Sequence, residues 1–505
     1  MNQPEAAVGH VLFRVVPADL LTPVGTFLKL TAAFETADGP PLANALLLES
    51  VEGGAARGRY SVIGLLPDLV WRCANGAVSI SRDGGPFEPD GREAIESLRA
   101  LHRDSRMTLP PGLPPMIAGL FGYLGYDMVR RMEHLPASPP DDLGLPEAVM
   151  LRPGLFAVFD NVRDELTLAV PVRGEGGEAA AEALLARAQQ ALGRPVELHA
   201  QTRPAGAGLR EPPAGLEPAS NFSRDDFEAA VRRIQDYILA GDAFQVVPSQ
   251  RFSRPFALPP IALYRALRRI NPSPFLFFLR FEGFSLVGSS PEVLVRLRDG
   301  EVTVRPLAGT RPRGEDAEED RRLAAELLAD PKERAEHLML VDLGRNDVGR
   351  VCEIGSVRVV ESFAIERFSH VMHISSTVRG RLRAGLEALD ALVAGFPAGT
   401  LTGAPKIRAM QIIDEIEPTR RGPYGGCIGY LAADGSMDTC IGLRMAVVKD
   451  GVMHVQAGCG VVADSVAALE YEETRQKARA VMRAAEAALH FAGGDGWAAH
   501  SGGPA

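Results

Sequence analysis

Several things are scarce in this 505-residue chain, and each scarcity closes off a class of protein. The five cysteines, Cys73, Cys352, Cys427, Cys440 and Cys459, stand apart with no Cys-x-x-Cys among them. That excludes a zinc ribbon and a disulfide framework and suits a reducing compartment, the cytoplasm. Nowhere does an apolar run of about 18 residues occur, and the start MNQPEAAVGHVLFRVV has no basic stretch leading into a long apolar core. Neither a membrane span nor an export signal is expected. Basic blocks are missing as well: 54 Lys and Arg against 64 Asp and Glu leave a net charge of -10. No positive stripe is available to neutralise the phosphates of a nucleic acid or a membrane surface. The glycines of 398–406, AGTLTGAPK, lack the geometry of a phosphate loop, because Pro405 separates a displaced Lys406 from Gly403. Pro405 reads instead as the first residue of a helix reaching about residue 415.

What is present is a chain of 46% hydrophobic composition, long enough for a sizeable core. The Pro-, Gly- and Ala-rich stretch 203–220 marks a boundary, and the tail AGGDGWAAHSGGPA has the composition of a disordered end. The expected division is 1–205, a linker 206–220, 221–490 and a tail 491–505. β-rich runs at 11–16, 45–48, 60–66 and 155–159 alternate with helical stretches near 92–103 and 177–192. A further helix is expected at 223–240. Asp-Gly turns at Asp299-Gly300, Asp434-Gly435 and Asp450-Gly451 predict hairpins. The fold class is therefore α/β in the α+β sense, with large antiparallel sheets and interspersed helices.

Two Glu-x-x-Glu pairs, Glu333 with Glu336 and Glu470 with Glu473, carry the first chemical signal. In a helix, residues three apart share a face, so each pair turns two carboxylates the same way. Lys477 follows one turn after the second pair. The same spacing is common on solvated helix faces; brought together, the carboxylates would repel one another unless a cation lay among them, and hard oxygen ligands suit Mg2+ with an anionic substrate. The glycine-rich run 456–462 follows a predicted strand and lets a carboxylate approach the main chain.

Seven segments occur in order: SSPEVLV (289–295), PLAGTRPRG (306–314), ERAEHLMLVDLGRNDVGRV (333–351), FSHVMHI (368–374), FPAGTLTGAPK (396–406), YGGCIGY (424–430) and EYEETRQKA (470–478). Together they resemble the chorismate-utilising enzymes across 223–490. Within that family the pattern is most similar to the large subunits, component I, of anthranilate synthases, and LLESVEGGAARGRYSVIG (47–64) extends it into the first half. The resemblance implies the chorismate-utilising fold with two closely packed halves. In GDAFQVV (241–247) the water-using branches carry a lysine where this chain has Gln245. A neutral amide cannot deprotonate water, whereas ammonia attacks without a base. Aminodeoxychorismate synthases resemble Pro-Ile-Lys-Gly-Thr, with a nucleophilic lysine, where this chain has Ala308. Attack by ammonia at C2 of chorismate, giving anthranilate, is the reading left. An aminodeoxychorismate synthase subunit is the alternative within the family, and a catalytically silent tryptophan-sensing protein is the alternative outside it.

The resemblance also implies roles. Glu336 and Glu473 are the expected direct Mg2+ ligands, with Glu333 and Glu470 binding directly or through water. Glu292 matches the general acid for the C4 hydroxyl, and His373 rather than His370 matches the histidine of the elimination step. Thr400 presents its hydroxyl in the catalytic loop. Tyr424, Arg444, Gly458, Gly460 and Lys477 match the binding residues for the enolpyruvyl carboxylate, and Gly309 and Thr310 complete the substrate site. Glu49, Ser50, Arg59, Tyr60 and Ser61, with Asn271, Pro272, Pro274, Phe275 and Leu276, resemble a feedback pocket for L-tryptophan. The chain lacks the His-x-Glu pair of a glutaminase, and its Gly-x-Cys-x-Gly, Gly425 to Gly429, falls inside the YGGCIGY segment of the resemblance. A separate glutamine amidotransferase subunit, component II, is therefore implied, in a heterotetramer.

Overall fold

The computed structural model describes residues 9–36, 39–52, 56–174, 176–196, 217–368 and 371–492. Their strands are almost all antiparallel neighbours, 21 of them linked in one hydrogen-bonded network. Two long strands, Tyr60–Ala74 and Ala148–Asp160, form its backbone. Leu66 adopts a φ of +51°, and the register between these strands shifts from Pro67 to Leu69. Such a bulge bends a strand pair. Before the bend Tyr60–Ala74 pairs with Ala45–Glu49, which pairs in turn with Phe275–Arg280 of the second half. That sheet continues through Phe284–Ser290, Met445–Lys449, Val452–Gly458 and Ser249–Pro255. At its other end Ala148–Asp160 pairs with Leu120–Leu124, then come Cys427–Leu431, Met437–Ile441, Val293–Arg298, Glu301–Val304 and Val371–Arg381.

The two sheets close on a shared apolar layer that includes Leu46, Val62, Phe121, Phe156, Phe277, Leu286, Ile428 and Met445. Helices cover their outer faces. Pro23–Phe34, Glu178–Leu192, Pro260–Ile270 and Ala467–Ala492 pack on the first. Ala94–Asp104, Pro331–Gly349 and Ala388–Gly395 pack on the second. Burying the outer faces of both sheets under helices gives a layered sandwich with one interior. Sheet hydrogen bonds cross the expected boundary at two places, Leu276 beside Glu49 and Ile428 beside Tyr123.

Local chemistry explains the elements that matter for the site. Asp330 caps Pro331–Gly349 by accepting from the amides of Lys332 and Glu333, with Pro331 at the first helical position. All three Asp-Gly pairs join the strands expected of them, and at two of them, Asp299-Gly300 and Asp450-Gly451, both residues have positive φ. Pro405 is the residue before its helix rather than the first within it; the helix runs Lys406–Ile416. Of the expected linker only 217–220 are described, and Ala219–Ser220 pairs with Ser249–Pro255. Helix Ala467–Ala492 runs two residues past the expected start of the tail; the rest of the tail lies outside the described residues. Among the described residues no helix is long and apolar enough to cross a membrane, and all five cysteines are free and buried.

Candidate active site

The site lies at a seam where the chain passes twice between the sheets. Ser290-Pro291-Glu292 leads from Phe284–Ser290 into Val293–Arg298, and Gly442-Leu443-Arg444 leads from Met437–Ile441 into Met445–Lys449. The crossings are laced together: the Ile441 amide donates to the Glu292 carbonyl at 3.1 Å, and the Ser289 amide to the Arg444 carbonyl at 3.1 Å. Arg444 turns its corner with a φ of +50°, a left-handed conformation that costs a side-chain-bearing residue energy and is often kept where a side chain must be aimed.

Glu292 is 6% exposed. Burial, reinforced by the charge of Glu366, pushes its pKa up to about 8, against the hydrogen bonds from Thr400 and the Leu307 amide. Thr400 Oγ1 donates to Glu292 Oε1 at 3.1 Å and the Leu307 amide to the same oxygen at 3.4 Å. At neutral pH the group is a carboxylic acid. Two residues along the same strand, the Gly309 carbonyl lies 2.7 Å from His373 Nδ1, with Thr310 Oγ1 at 3.2 Å. A carbonyl only accepts, so Nδ1 carries the proton and Nε2 keeps its lone pair. Burial pushes the His373 pKa down to about 4, and the nearby charges of Arg444 and Lys477 act in the same direction. An acid and a base are therefore both held by backbone groups of one strand, Leu307–Pro312.

The carboxylate pairs approach from two helices. Glu336 accepts from Gln245 Nε2 at 3.0 Å, and burial, helped by Glu333 and Glu473, raises its pKa. Burial raises that of Glu470 too, which lies beside Ser465 and Cys459 and has one oxygen, Oε2, buried without a hydrogen-bond partner. Glu333 is tied to Arg311 at 3.1 Å, and Glu473 to Lys477 at 2.6 Å. No group of three or more His, Cys, Asp and Glu among the described residues is gathered tightly enough to hold a metal alone. The two helix faces thus lie within electrostatic reach of each other, Glu336 feeling Glu333, Glu473 and Lys477, while Glu333 and Glu473 are each paired with a cation.

The residues expected to bind the substrate are interlocked. Lys477 Nζ donates to the Gly458 carbonyl at 2.9 Å, and Arg444 donates to the Lys477 carbonyl at 2.8 Å. Tyr424 is buried, and a Cβ on Gly458 would stand 3.0 Å from its hydroxyl and 2.7 Å from the Pro248 carbonyl. Only glycine leaves that space open. A Cβ on Gly460 would meet Gln245 Nε2 at 2.7 Å. The amides of Cys459 and Val461 are held by the carbonyls of Pro248 and Val246, so the alternate amides of this extended run point the other way. Arg311, Arg421 and Glu417, which touch or support these groups, were not distinguished in the sequence. Arg420-Arg421-Gly422 reads as a surface turn, and nothing local says that Arg421 is 2% exposed.

The expected feedback residues also meet. Glu49 stands opposite Leu276, and Phe275 opposite Ser290. Ser289 Oγ donates to the Asn271 carbonyl, and the Ser50 carbonyl accepts from the Gly58 amide at 2.7 Å. Pro272 and Pro274 are half-buried beside them. The Glu49 carboxylate is already bound by Tyr264 at 2.6 Å and Arg268 at 2.7 Å. Arg59 pairs with Asp160 at 3.0 Å and lies over the Tyr60 ring, and Ser61 Oγ accepts from Asn161 at 3.4 Å. His370 lies outside the described residues.

Glu292 and His373 thus lie close to the two carboxylate pairs and to Tyr424, Arg444 and Gly458, groups whose chemistry suits a small acidic ligand. The family model for chorismate binding enzyme matches residues 56–483, and the chain belongs to that family. Within it, the chain is 53% identical over 492 residues to anthranilate synthase component 1 of Cereibacter sphaeroides, covering 97% of both chains. The same component of Thermus thermophilus is 48% identical over 473 residues, 93% of this chain and 96% of that one. Among solved structures, anthranilate synthase component I of Streptococcus pneumoniae superposes with a TM-score of 0.72 at 34% identity, covering 93% of this chain and 99% of that one. The menaquinone-specific isochorismate synthase of Escherichia coli shares the fold, with a TM-score of 0.64 at 19% identity over 96% of both chains.

Proposed function

We propose that the chain is the aminating lyase of an anthranilate synthase, adding ammonia to C2 of chorismate, expelling the C4 hydroxyl and then eliminating pyruvate. The observation that carries this reading is Glu292, a carboxyl held protonated at neutral pH two strand positions from the segment that orients His373. Glu292 gives its proton to the departing C4 hydroxyl, while Thr400 stabilises the carboxylate left behind. Gln245 supplies a neutral amide beside the nucleophile's path, which suits ammonia and not water. In the second step His373 Nε2 removes the C2 proton, its ring fixed by the Nδ1–H bond to Gly309. Arg444, Tyr424 and the glycine backbone hold the enolpyruvyl carboxylate until it leaves with pyruvate.

The donor set fits Mg2+: hard carboxylate oxygens on two facing helices, with one oxygen of Glu470 buried and unpartnered. Mg2+ accepts one or two carboxylates and leaves room for waters and substrate, so a site without three gathered protein ligands suits it. Glu336 and Glu473 would hold it, supported by Glu333 and Glu470, and when bound it supplies charge to anchor the ring carboxylate. The pocket of Glu49, Ser50 and 271–276 takes L-tryptophan as feedback inhibitor. Its Phe275 lies beside Ser290, two residues before Glu292, which links the two sites along one strand. Component II supplies ammonia from glutamine in the complete cytoplasmic assembly. The residues fall into a first-half regulatory region, 1–205, and a catalytic region, 221–490.

The two steps need different proton carriers, so His373→Met separates them. The variant is expected to consume chorismate while an aminated, non-aromatic intermediate accumulates, resolved by chromatography. Parallel loss of both steps with no intermediate contradicts the assignment.

A further inference from the structure

Beneath the site lies a buried charged pair, Arg421 and Glu417. Arg421 grips Glu417 with one edge of its fork, Nε at 2.9 Å and Nη2 at 2.6 Å. Its remaining donors reach two carbonyls on separate segments, Leu401 at 2.6 Å and Val247 at 2.7 Å. Leu401 follows Thr400, the donor to Glu292, and Val247 lies two residues after Gln245, the donor to Glu336. The guanidinium also stacks 4.6 Å from the Tyr126 ring centre and 5.7 Å from that of Tyr424. Glu417 extends the tie, accepting from Ser249 through its amide at 2.7 Å and its hydroxyl at 2.8 Å. Ser249 is the register partner of Gly458.

Burying an ion pair generally stabilises a fold little or not at all relative to apolar residues of the same volume, so its value must lie elsewhere. Here the donors of one planar group reach three separate segments, at Glu417, Leu401 and Val247, a geometry that the flexible ammonium of lysine cannot reproduce. We propose that Arg421, locked by Glu417, is a positioning residue: it holds the Thr400 loop against Glu292 and the Gln245 segment against Glu336. The inference rests on the function proposed above only for its importance to turnover, not for its test.

The test reads Glu292 directly. Its protonated carboxyl is assigned as the infrared carbonyl band lost in Glu292→Gln and is followed against pH in the full chain without substrate. Thr400→Val removes a donor to the carboxylate and is expected to raise the midpoint by about one pH unit. Arg421→Lys keeps the charge but not the fork; it is expected to raise the midpoint by a similar amount and to add nothing to Thr400→Val when the two are combined. Glu366, which faces Glu292, and Arg305 and Asp347, which line the cavity beside it, are left in place. Should Arg421→Lys not unfold cooperatively, Glu417→Gln, which loosens the same fork, is measured instead with the same expectation. An unmoved midpoint, or shifts that simply add, overturns the proposal, because a merely structural role would lower stability without touching this titration. The readout involves no turnover, so a chain that made no anthranilate would refute the function while leaving this test intact.

Discussion

At the scale of single residues, the chemistry rests on two groups displaced in opposite directions. Glu292 is raised to about 8 and His373 lowered to about 4, so acid and base coexist in their working forms between those values. Turnover with ammonium is expected to fall above about pH 8 as Glu292 ionises, and below about pH 4 as His373 protonates, in a pH-rate profile. A second consequence concerns stability. The folded-state pKa of Glu292 exceeds its ordinary value of 4.5, so the folded protein binds the extra proton between the two values. The stability tied to that proton is present in full below about pH 4.5 and is lost as pH rises through about 8. Glu292→Gln cannot ionise, so its melting temperature relative to the parent is expected to rise as pH goes from about 5 to 9. A constant difference across that range would mean that Glu292 titrates normally. The motifs made Glu292 and His373 visible in the sequence, because short segments around each resemble those of a known family. Arg421 is not visible there, since its burial comes from segments 174 and 20 residues away.

At the scale of elements, periodicity and turn chemistry were the readable parts. Helices with long, regular amphipathic patterns, such as Glu178–Leu192 and Arg224–Leu239, fell within two residues of expectation. Four others were not read from the sequence: Pro23–Phe34, Pro260–Ile270, Ala317–Ala329 and Ala388–Gly395. Two of these begin at proline. Thr22 before Pro23, and Asp316 before Ala317, are capping signals that were available. Asn75-Gly76, with φ of +51° and +77°, is an equally clear hairpin turn that the same rule would have found. Strand pairing over long separations, such as Ala45–Glu49 with Phe275–Arg280, has no local signature at all. That pairing carries the regulatory expectation. Ser50→Phe is expected to abolish inhibition by tryptophan while changing uninhibited turnover by less than about twofold, read from dose-response curves. Inhibition that survives the change would move the pocket elsewhere. On the helix pairs, Glu336→Gln or Glu473→Gln is expected to weaken Mg2+ activation by about tenfold or more, measured by titrating Mg2+ into chelated protein. Full turnover in the presence of EDTA would remove the metal from the account.

At the scale of the whole molecule, the two halves share continuous sheets, and the active site sits where the chain crosses between them. On the proposed reading, a ligand between Ala45–Glu49 and the 271–276 segment would act on the strand neighbouring Glu292, joining regulation to catalysis in one body. The proposed reaction takes its ammonia from a separate subunit. The chain alone is expected to ignore glutamine and to acquire glutamine-dependent activity only when component II is added; glutamine use by the isolated chain would refute that division of labour. The central claim, amination at C2 followed by pyruvate loss, is tested most directly by incubating the purified chain with chorismate, Mg2+ and ammonium and quantifying both products. The account expects anthranilate and pyruvate in equal amounts, anthranilate being followed by its fluorescence, whereas isochorismate or 4-amino-4-deoxychorismate formed without pyruvate would contradict it.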